Sequence, residues 1–161
     1  MVVLLVHAAV ASAGFVAHDD DFQCLTNGTK VPGKSFYVFH RNPKLLAKAV
    51  AIAASDRAHK RYPVGTILQF FPREAMVKRG GSFNPSGHGW EFFQLDVSAE
   101  GTHIAARGKK KVANAIGSCQ GCHAAAAKFD LVCEGHGAAS LGLPPAIIKL
   151  LQRDPRCPPA P

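Results

Sequence analysis

The feature that most constrains this chain is the run Cys119-Gln120-Gly121-Cys122-His123, two thiols three residues apart followed at once by an imidazole. This spacing is typical of the attachment site of a c-type haem. Residues i, i+3 and i+4 of a helix share one face, so both sulfurs can form thioethers with the haem vinyl groups while His123 binds the iron. The alanines that follow favour helix and leave room for a flat macrocycle. We therefore predict a haem-binding helix from Cys119 to about Phe129.

Two other chemistries use the same cysteines. A thioredoxin-like dithiol has the Cys-x-x-Cys spacing, but it opens a helix after a strand of a βαβ unit, and the sequence supplies no such strand. A zinc site is the stronger alternative, because Cys133 and His136 would complete a four-ligand set with Cys119 and Cys122. That set leaves His123 without a role. The spacing therefore favours haem and keeps zinc and dithiol chemistry as alternatives.

The length and the charge of the chain limit its organisation and its partners. With 161 residues, of which 47% are hydrophobic, the chain is long enough for one domain with a real core and too short for two. Its formal net charge is +8, but the basic residues are dispersed except at Lys109-Lys110-Lys111. No aromatic residues are interleaved with them as on a nucleic-acid-binding face, so we expect no nucleic acid partner. The lysine triplet is either a solvated loop or a docking patch for another, acidic redox protein.

The start of the chain resembles a secretory signal. An apolar stretch, residues 1–10, is followed by Ala11-Ser12-Ala13, an Ala-x-Ala processing site. The charged front end of a signal is missing, so the alternatives are a truncated start and an uncleaved anchor. We expect residues 1–13 to be a signal peptide and residues 14–161 to form a single haem c domain in the periplasm, because c-type attachment takes place outside the cytoplasm.

Three cysteines remain outside the haem motif: Cys24, Cys133 and Cys157. We expect one disulfide with one thiol left over, and five cysteines in all suit an oxidising compartment. The sequence does not select the pair. A disulfide from Cys133 to either of the other two would tie the segment after the haem helix to one end of the chain.

Local patterns predict several strands ahead of the haem motif and few helices. Clusters of aromatic and β-branched residues predict strands at Lys34 to His40, Thr66 to Phe71, Glu74 to Lys78 and Trp90 to Val97. Asn42-Pro43 supplies an N-cap and an N1 proline for a helix that runs through Ala53. A second, short amphipathic helix is predicted from Pro144 to Gln152, and the glycines from Gly80 to Gly89 predict a long hairpin loop. The fold class is therefore α+β, with an antiparallel sheet covering the haem.

The residue on the second side of the iron would decide the chemistry. Small His/Met electron carriers take a methionine from the chain after the haem motif, but no methionine follows His123. A histidine from elsewhere is the alternative sixth ligand, and the candidates are His136, His40, His59, His88 and His103. An open or apolar distal face is the default prediction, and it favours small gaseous ligands over pure electron transfer.

The order of several short motifs resembles the cytochrome P-four-sixty family. These motifs are Tyr62 to Thr66 before a strand, Met76 to Lys78, Gly87 to Trp90 before an aromatic strand, Cys119 to His123, and Ala127 to Asp130. The resemblance covers about residues 30 to 133. It implies an antiparallel β-rich fold, usually dimeric, with one haem c and a proximal histidine, here His123.

The resemblance also bears on the distal side. Hydroxylamine-oxidising members of this family carry a lysine that bonds covalently to the haem, and the matching position here is Phe70. A phenylalanine there resembles the sister group, cytochrome c′-beta, whose aromatic distal pocket binds nitric oxide or carbon monoxide at a five-coordinate iron. An apolar ring offers no ligand atom and no hydrogen bond to bound oxygen. Phe39 and Phe71 are further candidates for this cap, and strand parity places only one of Phe70 and Phe71 towards the haem.

Glu74 is the residue that points to a different function. It lies in the stretch that resembles the place where hydroxylamine-oxidising members hold a distal carboxylate, which would accept substrate protons. We therefore predict a protein that binds nitric oxide or a related small nitrogen ligand. A haem-dependent oxidoreductase acting on hydroxylamine or nitric oxide and a His/His electron carrier are the alternatives. Cys133 departs from the family pattern, which more often has an aromatic or aliphatic residue there.

Overall fold

The computed structural model describes residues 14–80, 82–134 and 142–158. The stretch predicted as a signal peptide, residues 1–13, and His136 of the zinc set lie outside these ranges. Within them the chain has an α+β fold, as predicted, with one six-stranded antiparallel sheet and a few short helices. In the described ranges, no helix has the length and apolar character needed to span a bilayer.

The main sheet is a meander in which each strand pairs with the next one along the chain. Its strands are β1 (Thr29–Lys30), β2 (Tyr37–Phe39), β3 (Ile67–Gln69), β4 (Glu74–Lys78), β5 (Trp90–Ser98) and β6 (Gly101–Gly108). A separate two-stranded ladder consists of β7 (Ala113–Asn114) and β8 (Gly117–Ser118). The predicted strands at β4 and β5 are confirmed, those at β2 and β3 are shorter than predicted, and β6 was not predicted.

In the part of the chain that the structure describes, three α-helices accompany the sheet: α1 (Pro43–Ser55), α2 (Cys119–His123) and α3 (Pro145–Leu151). The predicted start of α1 is confirmed, because the side chain of Asn42 accepts hydrogen bonds from the backbone N–H groups of Lys44 and Leu45. The predicted C-terminal helix is confirmed as α3. A 3₁₀ segment, Ala124–Phe129, follows α2 directly.

The continuous helix predicted from Cys119 to Phe129 is wrong in its second half. The chain leaves α-helical geometry after His123, and Ala126 has non-helical dihedral angles. The segment ends at Asp130, which is left-handed. Alanine favours helix only weakly, and long-range contacts of this segment override that preference. One such contact joins the N–H of His59 to the carbonyl of Lys128.

The two faces of the sheet carry separate apolar clusters. The helix-side cluster packs against α1 and against the segment after α2, and its sheet residues are Val38, Leu68, Met76, Trp90 and Phe92. The N-terminal-side cluster packs against Ala17 and Phe22, and its sheet residues are Ile67, Ala75, Val77, Phe93, Leu95 and Val97. Alternate residues of each strand therefore face opposite layers, as the period of a strand requires.

A disulfide joins the two ends of the described chain. Cys24 pairs with Cys157, and Cys133 is a free thiol. The expectation of one disulfide with one thiol left over is confirmed, and the pairings of Cys133 that the sequence left open do not form, because Cys24 and Cys157 bond to each other. The carboxylate of Asp154 holds the same junction, since it accepts from the N–H of Leu25 at 2.9 Å.

Candidate functional site

A cavity of about 340 Å³ opens on the helix-side face of the sheet, beside the Cys119-to-His123 motif. This volume lies in the range of cavities that hold small molecules and cofactors. Strands, α2, α3 and the segment after α2 all contribute to its walls. The lining residues that bear on its chemistry are Phe36, Leu68, Phe70, Glu74, Met76, Phe92, Asn114, Cys119, Cys122, His123 and Cys133. Most of these side chains are apolar or aromatic, so the cavity is a low-polarity environment.

Helix α2 presents both motif cysteines to the cavity. Its N-cap is Ser118, whose hydroxyl accepts from the N–H of Gly121 at 3.3 Å. Both cysteines are free thiols; Cys119 is half-buried and Cys122 is exposed. Burial raises the pKa of the Cys119 thiol, and the negative charge of Glu74 raises it further. A reactive dithiol needs a lowered pKa, so these surroundings do not favour redox-exchange chemistry.

The imidazole of His123 is held by a backbone carbonyl. Its Nδ1 lies 2.7 Å from the carbonyl oxygen of Leu131, and because a carbonyl only accepts, Nδ1 carries the proton. The lone pair therefore stays on Nε2. Burial lowers the pKa of His123, although the bond to Leu131 offsets part of this effect. The ring is thus a neutral imidazole with a free Nε2, which is the form that ligates a metal.

Aromatic rings surround this imidazole and the rest of the cavity. The ring of Phe92 lies 5.4 Å from that of His123, centroid to centroid. Phe36 is buried on the segment before β2 and lines the cavity; the sequence analysis passed over it. The strand parity of Phe36 with the buried Val38 is the signal that would have found it.

The structure separates the three phenylalanines predicted to cap the site. Phe70 lines the cavity and packs against the helix-side cluster. Phe71 stacks on Phe70 with ring centroids 4.2 Å apart, but it is not part of the lining. Phe39 packs against the N-terminal-side cluster, on the opposite face of the sheet. Of the three, Phe70 is therefore the residue placed to touch a bound group.

A polar pair stands in this otherwise apolar wall. Glu74, at the start of β4, lines the cavity, and its Oε1 accepts a hydrogen bond of 2.9 Å from Nδ2 of Asn114. Asn114 lies on β7, so the small ladder before the motif orients the carboxylate. The sequence analysis predicted Glu74 as a proton acceptor and did not single out Asn114. A carboxylate held by an amide in a half-buried wall can accept a proton from a ligand.

Met76 also lines the cavity, on the same face of β4 as Glu74. It is buried and belongs to the helix-side cluster. The sequence analysis looked for a methionine only after His123, because small His/Met carriers have it there. The meander brings an upstream methionine to the same cavity, so the missing downstream methionine does not by itself exclude a thioether ligand.

Within the described residues, His123 is the one histidine in the cavity lining. The histidines considered as a second axial ligand lie elsewhere: His40, His59, His88 and His103. The Nε2 of His40 contacts the carbonyl of Val64 at 2.9 Å, for example. His136 lies outside the described ranges. The described lining likewise contains no lysine.

Three of the four residues predicted as alternative zinc ligands, Cys119, Cys122 and Cys133, lie in the described chain. The sulfurs of Cys119, Cys122 and Cys133 do not all come within 4.8 Å of one another, among the residues that the structure places. Burial raises the pKa of the Cys133 thiol to about 12, which opposes the thiolate that zinc requires. Cys24, Asp154 and Cys157 do cluster, but their two sulfurs form the disulfide.

The lysine triplet lies close to the motif along the chain, between β6 and β7. All three residues, Lys109, Lys110 and Lys111, are exposed. The carbonyl of Lys110 accepts from the hydroxyl of Ser118, the N-cap of α2, at 3.1 Å. The triplet is therefore fixed beside the start of the motif helix.

Comparison of the chain with protein-family models, with curated proteins and with solved structures gives no match. The function is therefore inferred from the site itself.

Proposed function

We propose that the chain is a mono-haem c protein that binds nitric oxide or a related small nitrogen ligand. The observation that carries this proposal is the donor set of one apolar cavity: two free thiols at Cys119 and Cys122, and a neutral imidazole at His123 with Nδ1 bonded to a carbonyl. The thiols would hold the haem through thioethers, and His123 Nε2 would be the axial ligand. No other proposed chemistry uses all three groups.

The haem, when bound, would supply an iron that coordinates a diatomic ligand. The aromatic residues of the wall would then favour a ligand that needs no hydrogen-bond donor from the protein. Phe70 and Phe36 present rings to the cavity, and rings neither ligate iron nor donate to bound oxygen. Nitric oxide binds without such a donor, so an aromatic wall favours it over oxygen.

A second function is favoured by Glu74. Its carboxylate, oriented by Asn114, would accept protons from hydroxylamine or a similar substrate. The chain would then be a haem-dependent oxidoreductase that passes electrons to another redox protein. The exposed lysine triplet beside Ser118 is the surface that would meet an acidic partner of this kind.

Two further features follow from the proposal. Covalent haem attachment places the chain outside the cytoplasm, in the periplasm, and the disulfide between Cys24 and Cys157 is compatible with an oxidising compartment. A homodimer is implied by the resemblance to the cytochrome P-four-sixty family. Exposed apolar side chains of α3, at Ile147, Leu150 and Leu151, are the surface on which a second copy would pack.

The proposal is tested by absorption spectroscopy of the protein matured in a host that attaches c-type haem. Spectra are recorded for the oxidised form, the reduced form and the reduced form with nitric oxide. A high-spin ferrous spectrum that shifts with nitric oxide, with an ordinary c-type haemochrome after denaturation, is expected. The control is Phe39→Leu, which changes a ring on the opposite face of the sheet and should leave these spectra as in the wild type.

Other spectra would contradict the proposal in different ways. A red-shifted ferrous band with a cross-link that survives denaturation would favour the hydroxylamine-oxidising function. A low-spin ferrous spectrum that ignores nitric oxide would indicate an electron carrier. In that case Met76→Leu would show whether the thioether is the sixth ligand, since a leucine cannot ligate iron.

A further inference from the structure

Behind the site lies a buried ion pair that the proposed haem chemistry does not use. Asp130 is fully buried, and both of its carboxylate oxygens accept from Nζ of Lys78, at 2.8 and 2.7 Å. The same Nζ donates to the carbonyl of His88 at 2.6 Å, so all three ammonium hydrogens have acceptors. Such a pair is costly to bury and stabilises the fold only when every charge is satisfied.

The network holds both the side chain and the backbone of Asp130. Its Oδ2 accepts from the N–H of Tyr62 at 2.9 Å, and its main-chain carbonyl accepts from Nε1 of Trp90 at 2.7 Å. Lys78 also lies over the ring of Trp90, 4.8 Å from its centroid. Asp130 is thus fixed from β4, from β5 and from the segment before β3.

The backbone held in this way is strained. Asp130 and Leu131 are consecutive non-glycine residues with φ of 57° and 65°, in the left-handed region. A residue such as leucine seldom adopts this conformation, and it persists only where the surroundings enforce it. The carbonyl of Leu131 that results from this turn is the acceptor for Nδ1 of His123. The ion pair and His123 are therefore connected through a single forced turn.

From this geometry we infer that Lys78, Asp130 and Trp90 are positioning residues for His123. They hold the left-handed turn that aims the Leu131 carbonyl at Nδ1, and a firm Nδ1–H···O=C bond makes the imidazole a stronger donor to iron. A stronger donor favours ferric over ferrous iron, so the network lowers the reduction potential. This inference rests on the proposed function, because it concerns the ligand that the haem would use.

Two variants and a matched control test the inference. Asp130→Asn removes the charge without changing the shape, and Trp90→Phe keeps an aromatic ring but removes the Nε1–H donor to the Asp130 carbonyl together with part of the buried indole. Glu91→Gln is the control: Glu91 is a buried carboxylate paired with Arg79 and Arg107, next to Trp90 on β5 but on the opposite face. It makes no contact in the network that leads to His123.

The readouts are the haem midpoint potential and the iron–imidazole stretching frequency of the ferrous protein. We expect Asp130→Asn to raise the ratio of ferrous to ferric haem about tenfold at a fixed potential, which corresponds to a rise of about 59 mV in the midpoint potential. The iron–imidazole stretching frequency should fall in the same variant. Trp90→Phe should shift both in the same direction by less, and Glu91→Gln should leave both unchanged. If Asp130→Asn fails to fold, the midpoint potential and stretching frequency of Trp90→Phe test the inference.

Haem content separates two kinds of failure. A wild-type protein without covalent haem overturns the proposed function and this inference with it. If the wild type carries haem, but Trp90→Phe and Asp130→Asn both have the wild-type midpoint potential and stretching frequency, the inference alone is overturned. Equal shifts in Glu91→Gln and the two network variants would also overturn it, because they would reflect general loosening of the fold.

Discussion

The two faces of the sheet each bury a carboxylate among cations, but they use it differently. On the N-terminal-side face, Glu91 binds Arg79 and Arg107, and Arg107 continues to the carbonyl of Ala17. On the helix-side face, Asp130 binds Lys78 and shapes the turn behind His123. The first network joins two layers of a closed core. The second joins a core to an open cavity.

This difference shows why a buried ion pair does not reveal its role by itself. Glu91 is bound by two arginines with extended side chains, and Arg107 is about a third exposed at 32%. The Lys78 side chain is 6% exposed, and Asp130 also meets Arg61 and His88, whose side chains are 50% and 22% exposed, at 3.5 and 3.4 Å. The Lys78–Asp130 contact itself is therefore more shielded from solvent than the contact of Glu91 with Arg107, which suits it to hold a strained turn.

The largest expected effect is at the motif cysteines. The double variant Cys119→Ser, Cys122→Ser should lose covalent haem completely, because a hydroxyl does not form the thioether. Cys133→Ala, which changes a thiol in the same cavity wall, should keep one haem per chain. Haem content is measured by haemochrome absorbance of denatured protein. Loss of haem in Cys133→Ala would instead indicate that this third thiol takes part in attachment.

The next largest effect is a loss of stability when either of the two buried carboxylates is neutralised. Asp130→Asn leaves the Lys78 charge buried and should reduce the free energy of unfolding by about 3–5 kcal/mol. Glu91→Gln should cost about 1–3 kcal/mol, because Arg107 can turn to water. Urea unfolding of the haem-loaded proteins measures both. Equal costs would mean that the two faces are electrostatically alike, contrary to the comparison above.

A smaller effect is expected from two phenylalanines on opposite faces. Phe70→Leu and Phe39→Leu should each change the free energy of unfolding by about 1 kcal/mol, since a leucine fills most of the same space. Only Phe70→Leu should change the dissociation rate of nitric oxide, because Phe70 lines the cavity and Phe39 packs on the other side. Stopped-flow ligand release is the measurement. A changed rate in Phe39→Leu alone would place the ligand elsewhere.

The smallest effect is the pH dependence of Glu91. Burial alone would raise the pKa of this carboxyl, but hydrogen bonds and charges from Arg107 and Arg79 outweigh burial and hold the pKa below its usual 4.5. Because the folded pKa is the lower one, its contribution is present above about pH 4.5 and is lost as the pH falls further. The stability difference between wild type and Glu91→Gln should therefore shrink in acid. A difference independent of pH would show that folding does not shift the pKa of Glu91.

Much of the fold could be predicted from local sequence, because its elements carry local signals. The Asn42-Pro43 cap and the aromatic run of β5 were each predicted at their observed positions, and the helix predicted to begin at Cys119 is observed as α2. Strand β6 was not predicted, because only two residues of Gly101–Gly108, Thr102 and Ile104, are β-branched, and the rest are glycine, histidine, alanine and arginine. Its place in the sheet follows from pairing with β5, which no local pattern encodes.

The candidate site was predictable only where its groups are adjacent in sequence. Cys119, Cys122 and His123 follow from spacing, whereas the Leu131 carbonyl depends on a turn that Asp130 and Lys78 impose from 52 residues apart. Phe39 was named as a candidate and Phe36 was not, although the structure places Phe36 in the cavity lining and Phe39 in the cluster on the opposite face. A strand pattern gives the alternation of faces but does not say which face is the cavity.

The most direct test of the central claim is the mass of the intact protein after maturation in a host that attaches c-type haem, followed by peptide mapping. The account predicts a mass increased by one haem, carried by the peptide that contains Cys119 and Cys122. An unmodified mass with both thiols open to alkylation would contradict it. The cavity would then belong to a different ligand.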